Sequence, residues 1–359
     1  RFYCLVYERI KRIMAYTTIN KSTDYFNTLL YTDNGANRTL TGVGFQPDWV
    51  WIKTRNHGNS HNIFDAVRGA NKNIRSNSTA AEVTTTDTLT AFTSDGFSLG
   101  VDASGYGVNY DNKNEVSWNW KAGGGAGSSN TDGDITSTVS ASTTSGFSIV
   151  KWTGNGSSAT IGHGLGVAPK VMITRRYDGA YNWFTYHDGI GNGKYLLLEA
   201  TDAQATASGS WNNTSPTSSV FTKGSGANTN GGSYIAYCFA EKKGFSKFGS
   251  YTGNGTNLFV YTGFKPAFMM CKKTDSADNW KIVDNKRSPI NVMDDTLAAD
   301  TSNAEASPEG GVTIDFLSNG FAFKSMSNAA FNANGGSYIY MAFAEAPLVG
   351  TNNVPCTAR

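Results

Sequence analysis

A five-residue signal is written into this chain in triplicate: Tyr31-Thr32-Asp33-Asn34-Gly35, Trp152-Thr153-Gly154-Asn155-Gly156 and Tyr251-Thr252-Gly253-Asn254-Gly255. Each copy is followed by a Gly-x-x-Pro turn, Gly44 to Pro47, Gly166 to Pro169 and Gly263 to Pro266, and then by an apolar run: Trp49-Val50-Trp51, Val171-Met172-Ile173 and Phe268-Met269-Met270. A cation stands at the same offset after each turn: Lys53, Arg175 and Lys272. Proline before an apolar run marks a strand start, because it fixes φ and removes a donor where the ladder can spare one. Recurrence at this spacing marks a folding unit rather than a binding motif.

Further shared points set the register. Asn62-Ile63-Phe64, Asn182-Trp183-Phe184 and Asn279-Trp280-Lys281 match one another, and Asp95-Gly96-Phe97 matches Asn319-Gly320-Phe321. The units close on Ser117-Trp118-Asn119-Trp120, on Ser233 to Glu241 and on Ser337 to Glu345. The last two alternate small residues with large aromatics and are apolar on both faces, which predicts a central strand between two layers. With 40 glycines and only 16% charged residues, short strands and tight turns win over helices. The expected fold is all-β: three tandem β-sandwich modules of jelly-roll or concanavalin/lectin-like type.

The expected boundaries are an N-terminal segment 1–28, modules at 29–122, 135–243 and 244–350, and a tail 351–359. Residues 123–134, rich in Gly and Ser, are expected to be a hinge between the first two modules. Lys242-Lys243-Gly244 is too short to leave the last two free of each other. Residues 1–13 carry a basic amphipathic pattern that is neither a membrane span nor a signal peptide. Met14-Ala15 reads as a start, with the preceding residues as upstream translation.

The net charge of +2, without a Lys/Arg run in the modules, excludes an electrostatic footprint for nucleic acid. Cys4, Cys238, Cys271 and Cys356 form no CxxC pair, and the two within apolar strands read as buried thiols. His57 and His61 have the spacing of a metal pair, but Gly58 and Asn59 between them argue for a loop, and no third ligand is spaced to help. His163 reads as a solvated turn residue and His187 as a strand-edge cap. No metal or cofactor is expected. Glycan hydrolysis needs two carboxylates across a sugar, and no spacing selects a pair among Asp65, Asp111, Glu115, Glu199 and Asp284. No catalytic residue is assigned.

The aromatics are the residues able to bind a ligand, since sugar rings stack on exposed indole and phenol faces. Those at repeated positions, Trp49, Trp118 and Tyr338, read as core. The candidates for glycan are the unrepeated ones in polar surroundings: Tyr181, and Trp211 with Asn212 and Asn213.

The opening Met14 to Ser22, the run Gly44 to Lys53, the stretch Tyr237 to Gly255 and the ending Val354 to Arg359 resemble a family of bacteriophage proteins abundant in marine phages. That resemblance implies a virion structural, tail-fibre-like protein, assembled in the host cytoplasm and displayed outward, and it carries no catalytic motif. Its implied partners are host cell-surface polysaccharide, other virion proteins and copies of itself, a trimer among the options, with no membrane insertion. Two other readings stand beside adhesion: a decoration protein without a ligand, and a surface polysaccharide depolymerase.

Overall fold

Short strands joined by turns make up almost all the regular structure of the computed structural model, which describes residues 16–110, 112–206, 208–350 and 355. Helix is confined to single turns such as Ser208–Trp211 and Ala329–Asn332, and no helix among the described residues is long and apolar enough to cross a membrane. The fold is all-β and of sandwich type. Residues 1–13 and most of the 351–359 tail, with Cys4 and Cys356, lie outside the described residues.

Three large sheets share one plan. In unit 1 the order across the sheet is an opening strand Phe26–Thr32, a closing strand Asn114–Trp120, a second Trp49–Thr54, a third Asn62–Asp65 and a fourth Lys72–Arg75. Unit 2 repeats this as Phe147–Thr153, Ser233–Phe239, Val171–Arg176, Trp183–His187 and Lys194–Leu197. Unit 3 repeats it as Ser246–Thr252, Ser337–Pro347, Phe264–Lys273, Lys281–Asp284 and Leu297–Ala298. The last strand in sequence inserts between the first and second, which explains why the closing runs are apolar on both faces.

The two faces of each large sheet have different partners. One is covered by a small sheet of the same unit: Arg38–Leu40, Gly96–Leu99 and Leu89–Thr93; Ala159–Gly162 and Val220–Lys223; or Leu258–Tyr261, Gly320–Phe323 and Ile314–Leu317. The other faces meet in one common core. In the closing strand of unit 2, Ile235, Tyr237 and Phe239 point into the common core while Ala236, Cys238 and Ala240 point into the unit's own sandwich. Unit 3 does the same with Ile339, Met341 and Phe343 against Tyr340, Ala342 and Ala344. Trp120, Phe239 and Phe343 occupy one register position, opposite Trp49, Val171 and Phe268, and Phe343 lies 5.7 Å from Trp120 and 5.9 Å from Phe239. Each large apolar side chain so buried contributes roughly 1.5–3 kcal/mol.

Register also aligns His61, Trp183 and Trp280, each four residues before the residue opposite Trp49, Val171 or Phe268 (Asp65, His187, Asp284). These three ring N–H groups donate to carbonyls on the next unit's fourth strand: His61 to Ala298 at 2.9 Å, Trp183 to Arg75 at 2.8 Å and Trp280 to Leu197 at 2.8 Å. The contacts run from unit 1 to 3, 3 to 2 and 2 to 1, closing a ring. The match expected from Asn62, Asn182 and Asn279 is therefore two residues out of step in unit 1.

Each opening signal is an Asx turn, with Asn34, Asn155 and Asn254 accepting from the N–H two residues on. A buried asparagine per unit, Asn109, Asn228 or Asn332, locks the turn by donating to Ala36, Ser157 or Thr256.

Residues 123–134 differ from the expected hinge. Asp48 accepts the N–H groups of Ala122 at 2.7 Å, Gly124 at 3.1 Å and Gly125 at 3.0 Å, and Ser128–Asn130 then pairs with Ser137–Ser142 at the edge of the second sheet. Gly127 has φ +80°, and a Cβ there would lie 2.7 Å from Val139. These glycines serve close backbone approach, and composition alone does not separate that use from flexibility.

Candidate functional site

The sequence-predicted glycan residues all belong to unit 2, on opposite sides of one buried lysine. Tyr181 sits in the turn between the second and third strands, tied to unit 1 by its N–H donating to Thr79 at 3.0 Å. The residue is 40% exposed and its ring is backed by the Arg176 guanidinium, 4.3 Å from the ring centroid. Arg176 is in turn held by Asp178, with Nε to Oδ1 at 2.5 Å. Tyr181 and Asn182 form one wall of a cavity of about 70 Å³ whose other lining includes Arg175, Arg176, Lys223 and Thr229.

Trp211 is not a sugar platform. It is fully buried, its Nε1 donating to the Lys194 carbonyl at 3.1 Å and its ring edge-on to Tyr186. Asn212 and Asn213 are exposed, but their φ values of 51° and 48° show why asparagine stands there: it tolerates the left-handed turn that ends the short helix. The polar neighbours that suggested exposure are turn chemistry.

Lys223 went unnoticed in the sequence reading. Its strand pairs Ala159 with Lys223 and Ile161 with Phe221, where unit 1 pairs Arg38 with Leu99 and Leu40 with Phe97, and unit 3 pairs Leu258 with Phe323 and Val260 with Phe321. Lys223 thus occupies an interior position that is Leu99 or Phe323 elsewhere. Its Nζ lies 4.1 Å from the Trp211 ring centroid and 5.5 Å from that of Phe184, and donates to Thr174 Oγ1 at 3.3 Å. Burial alone lowers its pKa to about 7. The available signal was Val220-Phe221-Thr222-Lys223 set against Gly96 to Leu99 and Gly320 to Phe323. Unit 2 lacks the glycine that made the other two visible.

The remaining titratable groups are framework. His61 accepts from Trp51 Nε1 at 2.8 Å on Nδ1, so both ring nitrogens are used, and burial keeps its pKa well below the usual value. His57 faces Asn59 instead. No group of three metal-ligating side chains assembles among the described residues. His163 is buried rather than solvated, and His187 is buried within its strand. The repeated cations Lys53, Arg175 and Lys272 are all buried, their charges met by main-chain carbonyls: Thr54 and His57, then Arg75, Ser78 and Ala80, then Lys273 and Thr201.

Among the acids, Asp65 and Asp284 hold Arg68 and Arg287 in buried ion pairs, and Glu199 accepts the Trp183 N–H at 3.0 Å. Asp111 lies outside the described residues. Glu115 is adjacent to Asp33. Both are buried, and burial raises Glu115 well above the usual carboxylate range and Asp33 to about 7. At the register position of Glu115, units 2 and 3 carry Tyr234 and Tyr338, whose rings lie against Gly154 and Gly253, the glycines that replace Asp33. The pair is thus the unit 1 substitute for a Tyr–Gly contact, and burial favours the protonated form of its acids.

The fold and this surface define an all-β protein of three sandwich units around a common core, with a basic, tyrosine-rimmed cavity in one unit. The chain belongs to the family described as domain of unknown function DUF7483, whose model matches residues 21–347. Comparison with the curated proteins finds no match.

Proposed function

We propose that the protein is a bacteriophage virion component of the tail-fibre-like kind, non-catalytic, which adheres to host surface glycan through unit 2. The observation that carries this reading is Tyr181: an exposed aromatic residue, stiffened from behind by Arg176 and Asp178, lining a cavity that also holds Lys223. A pre-set ring loses little conformational freedom when a sugar stacks on it. The common core supports the same reading, because a platform on rigid sheets holds its geometry under load. Weak contacts of this kind gain strength from multiple copies on one particle, and self-association, as a trimer for instance, would supply them.

Retention of the purified chain on intact host cells and on extracted surface polysaccharide, scored together with polysaccharide chain length, tests the proposal. Retention without shortening, reduced by Tyr181→Ala, is the expected result. Shortening of the polysaccharide would replace adhesion by depolymerisation, and no retention on either would leave a decoration role.

A further inference from the structure

We propose that the cavity beside Tyr181 seats the carboxylate of an acidic sugar. The carboxylate meets the Lys223 ammonium with Arg176 beside it, and the sugar ring lies on Tyr181. This rests on the adhesion reading above and specifies the class of glycan. A carboxylate entering this cavity of about 70 Å³ leaves its sugar ring beside Tyr181, which lines the same cavity and is exposed. The cavity lining includes Lys223 and Arg176 and no Asp or Glu. Arg176 already has Asp178, but Lys223 has no ion-pair partner among the described residues. Its ammonium donates to Thr174 at 3.3 Å and lies over the Trp211 and Phe184 rings, but no anion meets it.

A buried cation without a counter-charge is costly, so it persists only where something compensates. The fold itself does not call for one. Units 1 and 3 fill the same position with Leu99 and Phe323 and keep the same strand pairing. A carboxylate entering the cavity would supply the missing acceptor in a low-dielectric setting, where charge-assisted hydrogen bonds are strongest. Neutral sugars would leave the lysine as it is.

Titration calorimetry of the full chain with a galacturonate oligosaccharide, its methyl ester and the matching galactose oligosaccharide reads the inference directly. The acid is expected to bind roughly tenfold or more tighter than the ester, the size of one good charge-assisted contact. Lys223→Met is expected to erase that ratio while melting no lower than the unmodified protein, and Tyr181→Ala to weaken all three ligands. Equal binding of acid and ester by the unmodified chain, or an unchanged ratio in Lys223→Met, would overturn the inference. If the chain is also retained on host cells in that case, adhesion stands and only the acidic class falls. If it is retained on neither cells nor any of the three sugars, adhesion itself falls.

Discussion

Two seams of the common core solve one packing problem with opposite chemistry. Where unit 1 meets unit 3, Trp118 Nε1 donates to Asp284 at 3.0 Å, Asp284 pairs with Arg287 at 2.6 Å, and Arg287 reaches Glu305 at 2.9 Å. Glu305 also holds Arg55 of unit 1 at 2.7 Å. Where unit 3 meets unit 2, register puts Met341 in the place of Trp118 and His187 in the place of Asp284. Three residues on, Ile190 stands where Arg287 does. His187 is neutral, its pKa lowered to about 4 by burial, and its Nε2 faces the Tyr340 carbonyl at 3.1 Å. The remaining seam, between units 2 and 1, is polar again: Tyr237 donates to Asp65 at 2.8 Å and Asp65 pairs with Arg68. The acid, the arginine and the aromatic donor occur as a set or are all replaced. A half-made buried ion pair costs more than an apolar contact, so intermediate combinations are disfavoured.

That contrast can be broken in graded steps. Asp284→Ala leaves the buried Arg287 to share Glu305 with Arg55 and is expected to destabilise the chain most, by about 3–5 kcal/mol in a denaturant titration. A loss below about 1 kcal/mol would mean the polar seam is incidental. His187→Asp puts an acid into the apolar seam without its set and should destabilise by roughly 3 kcal/mol. Adding Ile190→Arg and Met341→Tyr to it should recover most of that, and a triple variant no better than the single one would refute the set. Lys223→Met, away from the seams, removes an unpaired buried cation and should stabilise by about 1–4 kcal/mol at pH 6–7. The sign follows from linkage. The lysine's folded pKa of about 7 lies below its unfolded value, so its burial penalty is full below pH 7 and fades as the pH rises toward the ordinary lysine range. The gain from Lys223→Met should shrink over the same window, and a pH-independent gain would assign it to packing. Smallest is Trp118→Phe, which keeps the ring and loses one bond to a charged acceptor, roughly 1.5–3 kcal/mol.

The sandwich class was legible from short apolar runs between turns, and the interior places of Trp49, Trp118 and Tyr338 from their recurrence at shared positions of the repeat. The common core was not. A strand apolar on both faces says that something covers each face, but Tyr237 and Cys238 read alike whether the cover is the unit's own small sheet or a neighbouring unit. The glycines after Ala122 misled in the opposite direction, since the carboxylate that anchors them, Asp48, is remote in sequence. At the candidate site, the exposure of Tyr181 was legible from its polar turn. Trp211 was misjudged because Asn212 and Asn213 serve the backbone. Lys223 was hidden because its meaning lies in what Leu99 and Phe323 do at the same position, and that register emerges only from the strand pairing.

Scanning calorimetry of the full chain tests the common core most directly. If the three units share one interior, unfolding is a single transition whose calorimetric enthalpy equals its van 't Hoff enthalpy. Two or three separable transitions, each of the size expected for about 100 residues, would contradict it and return the molecule to independent sandwiches on a thread.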